Sequence, residues 1–147
     1  MTQFQVEFED FKTASLTIER FFDEAKDKTE LLSAIAGLSE DQTKARIEED
    51  KAAPDGSPWP QWSQLYAQSR HENQSLLEHE GHLFDSIQSL FDAERAEIGT
   101  NLIYAASHQF GDETQGIPAR PFLGFGDEDK RDIESVVDDW LKQLWRN

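Results

Sequence analysis

Seven apolar residues near the C-terminus, Ile133, Val136, Val137, Trp140, Leu141, Leu144 and Trp145, recur at spacings of three and four. Such spacing gathers side chains on one face of an α-helix. The acidic start Asp127-Glu128-Asp129 sits where the positive end of a helix favours carboxylates. A C-terminal helix with a stripe to bury is therefore expected. The other end of the chain has a different period: Phe4, Val6 and Phe8 alternate with Gln5, Glu7 and Glu9, which reads as a strand over residues 2–9 with one apolar face.

Between these ends the apolar positions Phe11, Ala14, Ile18, Phe21, Phe22 and Ala25 fit a first helix. Asp27 with Glu30 can cap a second, carrying Leu31, Leu32 and Ile35, with Gly37 expected to stop it. Ser39 and Gln42 repeat the capping spacing for a further helical piece. Residues 51–62 hold Pro54, Asp55, Gly56, Pro58 and Pro60 and cannot continue a helix. Leu83, Ile87 and Phe91 suit either a helix or a strand face. With the short run at 96–100 after the polar Asp92–Arg95, a two-strand hairpin is one reading, and periodicity alone does not decide it. Residues 103–111 read as a short amphipathic helix ending at Gly111, followed by a loop from Asp112 to Arg120.

The 147 residues suit one domain spanning 1–147, and 37% hydrophobic residues, with ten Phe and four Trp, supply a core. A formal net charge of −16 opposes attraction to DNA, RNA or anionic lipid. No cysteine is present, which removes disulfides, thiol nucleophiles and thiolate metal sites. The N-terminus lacks the pattern of a signal peptide, and no apolar run approaches bilayer-spanning length, so a soluble protein is expected.

No catalytic, metal or cofactor site emerges. Glu48-Glu49-Asp50 and Asp138-Asp139 read as solvated helix faces. His71, His79, His82 and His108 lack a metal-binding arrangement, and neither GxSxG nor a phosphate loop occurs. Pro54-Asp55-Gly56-Ser57-Pro58-Trp59 makes a turn that delivers Trp59 to a hydrophobic face, a reading preferred over a sugar-stacking platform. Ile117-Pro118-Ala119-Arg120-Pro121-Phe122-Leu123-Gly124 stiffens its backbone with two prolines, and Arg120 and Phe122 are side-chain types enriched at interfaces.

Three of these segments in order, PDGSPW at 54–59, YAASHQFG at 104–111 and IPARPFLG at 117–124, resemble the Mu-like phage virion morphogenesis, or tail completion, family. The segment from Glu80 through Gly81, Leu83, Ser86 and Ile87 is similar to a further family motif, with Glu80 in place of a small hydroxyl residue. The resemblance runs from about residue 46 to the end. It implies an α+β fold, N- and C-terminal helices packed on a small, mainly antiparallel sheet, with strands near 83–91 and 96–100. It also implies a non-enzymatic structural protein of the virion neck, assembled in the host cytoplasm. Such a protein works as a ring of its own copies, hexameric in the fullest reading, alongside neck and tail proteins, with no cofactor, membrane or sequence-specific nucleic acid.

Carried onto this sequence, the structural loop residues are Pro54, Gly56 and Trp59. The implied interface residues are Tyr104, His108, Gln109, Arg120, Pro121, Phe122 and Leu123, with Arg120 and Phe122 the preferred contacts. The rival from another class is an acidic DNA mimic that inhibits a DNA-binding protein, suggested by the charge of −16. A cell-wall hydrolase lacks a defined carboxylate pair.

Overall fold

The computed structural model describes residues 2–7, 27–63, 68, 76–77 and 82–146, and of 2–7 and 144–146 the backbone alone. The helix expected over Phe11–Ala25 and the side chains of Leu144 and Trp145 lie outside the described residues. In chain order the elements are β1 (Thr2–Glu7), α1 (Thr29–Ala45), α2 (His82–Ser86), β2 (Gln88–Phe91), β3 (Arg95–Thr100), α3 (Ala105–Phe110) and α4 (Asp127–Arg146). The fold is α+β.

α1 begins where Asp27 accepts a hydrogen bond from the Thr29 backbone N–H at 3.0 Å. It does not stop at Gly37. One continuous helix carries the buried residues Leu31, Leu32, Ile35, Ala36, Ser39 and Thr43, and the burial of that stripe outweighs the roughly 1 kcal/mol a helical glycine costs relative to alanine. Ser39 is no cap either: its carbonyl accepts from the Thr43 hydroxyl at 2.8 Å, four residues on, inside the helix. The helix ends instead through a π-helical turn, Arg46–Asp50. Lys51 follows in the left-handed region at φ 51°, and its N–H donates to the Arg46 carbonyl at 2.9 Å.

The 83–91 segment divides. Leu83–Ser86 belongs to α2 and Gln88–Phe91 forms β2, so the expected strand is half helix. A helical turn puts both Leu83 and Ile87 in the core. The Ser86 hydroxyl there bonds the Leu83 carbonyl at 2.7 Å and meets the Thr100 hydroxyl at 2.6 Å. The β2–β3 hairpin is closed by Asp92, whose carboxylate accepts from the N–H groups of Glu94 and Arg95. These bonds hold the Asp92 carboxyl below the usual range.

The described sheet has the order β1-β3-β2, antiparallel throughout. Register places Phe4 opposite Ile98 and Val6 opposite Ala96. Ala96, Ile98 and Thr100 alternate onto the buried face of the central strand. One end of that face is covered by Leu31, Leu32, Ile35 and Ala36 of α1 with Ile133, Val137 and Trp140 of α4. At the other end Ile98 joins Ile47, Trp59, Leu83, Ile87, Ala105, Phe122 and Leu123. Phe125 touches both clusters.

Two substitutions test this packing. Trp140→Ala should leave a cavity between α4 and α1 and destabilise by about 3–5 kcal/mol, read by denaturant unfolding. Gly37→Ala should do the opposite, because a methyl group there meets nothing within 4 Å. It should stabilise by about 0.5–1 kcal/mol, seen as a raised melting temperature.

Candidate functional site

The three loop and helix segments 54–59, 104–111 and 117–124 converge on one junction. Ala53 donates to the Ser57 carbonyl at 2.8 Å, and Asp55 accepts from the Ser57 N–H at 2.9 Å. These bonds close a turn through Gly56 at φ 90°. The turn sends Trp59 into the core at 2% exposure, where its indole N–H donates to the Pro121 carbonyl at 2.8 Å. Pro54, in the same turn, lies against two glycines. A Cβ on Gly126 would stand 1.8 Å from the Pro54 carbonyl oxygen, and one on Gly124 would stand 3.2 Å from the Pro54 ring.

Gln109 on α3 is buried, and its side-chain amide mimics a neighbouring strand. Its oxygen accepts from the N–H groups of Phe122 at 3.0 Å and Leu123 at 2.9 Å, and its NH₂ donates to the Leu123 carbonyl at 2.9 Å. Arg46 donates to the Phe122 carbonyl at 2.8 Å and pairs with Asp129, which also accepts from the Gly126 N–H at 2.9 Å. Arg120 turns the other way and donates to the carbonyls of Pro60 at 2.8 Å and Gln61 at 3.2 Å. The polar groups of a buried, irregular segment are thus satisfied by side chains from three directions.

The structure places the preferred contacts inside the chain. Phe122 is fully buried and Arg120 nearly so, as are Gln109 and Leu123, while Pro121 and His108 are half-buried. Their side chains are committed within the chain, so replacing Arg120 and Phe122 by alanine tests folding rather than contact. Of the expected interface residues Tyr104 is the exposed one. The loop after α3 is also shorter in reach than its length suggests, because Asp112 and Ile117 exchange backbone hydrogen bonds at 2.8 and 2.9 Å. Gly111 at φ 77° must stay glycine there, since a Cβ would lie 2.9 Å from the Ala119 nitrogen.

His108 sits beneath this surface. Burial and then the neighbouring Arg120 charge hold its imidazole below the ordinary histidine range. Its Nδ1 is buried without a hydrogen-bond partner, and Tyr104 meets its ring edge-on at 5.7 Å between centroids. Among the described residues no group of His, Asp and Glu could hold a metal ion. No described helix is long and apolar enough to cross a membrane.

A model of the phage virion morphogenesis family matches residues 9–142. The chain belongs to that family. It is 28% identical over 145 residues to the Mu-like prophage FluMu G protein 2 of Haemophilus influenzae, covering 95% of this chain and 97% of that protein. It is 33% identical over 100 residues to the putative capsid assembly protein G of Escherichia phage Mu, covering 60% of this chain and 64% of that protein. No solved structure matches. The family match takes in the N-terminal part of the chain, where the sequence motifs alone carry no resemblance.

In this family member the motif residues support a scaffold, and two key members of that scaffold lie outside the motifs. Arg46 and Asp129 carry no motif signal, but Ser39, Thr43 and Arg46 follow Ile35 along the buried side of α1, so periodicity alone could have marked Arg46 as an inward-facing charge. Gln109→Leu should keep the volume while stranding two N–H groups and one carbonyl. It should destabilise by about 3 kcal/mol or more, measured by chemical denaturation with circular dichroism.

Proposed function

We propose that this virion morphogenesis protein acts at the head–tail neck of a tailed phage, completing the tail or joining it to the head as one subunit of a ring. Its role is non-catalytic, and its partners are copies of itself together with neck and tail proteins. Family membership over residues 9–142 carries this reading, together with the name of the phage Mu relative as a capsid assembly protein. The charge of −16 fits a subunit beside the DNA path, because a lumen of like sign to the phosphate backbone lets the genome pass without adhering.

The same charge sets the order of assembly. Subunits of −16 repel over the roughly 8–10 Å that physiological salt leaves unscreened, so the free protein should be monomeric at low salt and close into a ring on a neck or tail partner. Light scattering across a salt series checks this, and a stable low-salt ring would refute it. Removing the protein from phage-producing cells should leave filled heads and tails unjoined under the electron microscope. Normal joined particles would overturn the neck assignment.

A further inference from the structure

We propose that the outer face of α3 is the anchor by which this chain docks onto a basic partner protein of the virion, rather than onto a second copy of itself. The inference rests on the assembly reading above and names the surface and the kind of partner. Among the described residues, large apolar side chains are left exposed in two places. One is the hairpin end of β2, with Leu90 and Phe91, and the other is α3, with Ile103 at 95% exposure, Phe110 at 65% and Tyr104 at 44%.

The α3 patch differs from the β2 pair in being held. On the inner side of this six-residue helix Ala105 is fully buried, and Gln109 grips Phe122 and Leu123. The His108 carbonyl takes the Arg120 N–H at 2.7 Å. The turn leading in is fixed by the Ala105 N–H on the Leu102 carbonyl at 3.2 Å. Ile103 and Phe110 stand seven residues apart on backbone that is turning or helical throughout, a spacing that returns side chains to the same side. Large apolar groups on a pre-ordered backbone lose little freedom on binding, which is the character of interface hot spots.

Charge selects the occupant. Between residues 101 and 117 the charged side chains are Asp112 and Glu113, with no Lys or Arg. Two copies meeting through this face would set those carboxylates against each other on molecules already at −16 each. DNA and anionic lipid are repelled in the same way. An apolar recess rimmed by Lys or Arg accepts Ile103 and Phe110 and pairs with the carboxylates. Three side chains cover less than the roughly 800 Å² per partner of a standard interface, so the rim charges must contribute and the contact should be salt-sensitive.

The test places the photo-crosslinker p-benzoylphenylalanine at Phe110, and separately at the exposed Asp139 of α4 as a control, in protein supplied to phage-producing cells. After irradiation of the assembled particles, the adducts are identified by mass spectrometry. The expected result is a bond from position 110, and not from 139, to a different virion protein within a Lys- or Arg-rich stretch. Adducts from position 110 to a second copy only, to an acidic or neutral stretch, or to nothing overturn the proposal. The paired variant Ile103→Ser with Phe110→Ser should melt within a few degrees of the parent, because both residues are exposed. Its recovery in purified particles should fall at least tenfold. Equal recovery of parent and variant rejects the α3 anchor alone, whereas absence of the parent from particles and assembly intermediates rejects the assembly reading and this proposal with it.

Discussion

A single primary amide organises the junction on which the surface of this protein depends. Among the described residues no strand lies beside the buried Phe122 and Leu123, and an unpaired buried peptide group costs on the order of 1–3 kcal/mol. Gln109 answers with both halves of its amide, and Arg46 takes the carbonyl that remains on Phe122. Because Gln109 belongs to α3, the bonds that bury Phe122 also fix the helix that exposes Phe110. Core and surface are set by the same contact.

This coupling explains why the motif residues suggest a contact role while their side chains are turned inward. Arginine, phenylalanine and proline in a stiff loop are the residue types of an interface, and they are equally those of a buried segment that lacks regular hydrogen bonding. Composition cannot separate the two. What decides is whether the loop's peptide groups have partners, and Gln109 and Trp59, distant in sequence, supply them. The residues facing solvent, Ile103 and Phe110, stand at or just outside the edges of the motif helix.

The long-period features were legible from the chain itself. The α4 stripe holds because Ile133, Val137 and Trp140 meet a complementary stripe on α1, and the hairpin holds because Asp92 supplies its turn. Local signals misled where burial overrode them. Gly37 has the marks of a helix end, yet the buried face continues beyond it through Ser39 and Thr43. Leu83–Phe91 satisfies two periods at once, and the core takes the helical one for the first half. Arg46 escaped notice because a charge on a helix is ordinarily solvated, and only its distant partners, Phe122 and Asp129, make its burial tolerable.

The register of the sheet has a consequence in time. Thr2–Glu7 pairs with Arg95–Thr100, and Arg46 waits for Asp129, so these contacts join parts of the chain made far apart during synthesis. Such distant closures cost loop entropy before they return any stabilisation, and they come late in folding. A nascent chain that has emerged only as far as α3 already contains Ile103 and Phe110 but not the segment that Gln109 must grip. A partner that recognises the locked helix would therefore discriminate finished molecules from interrupted ones.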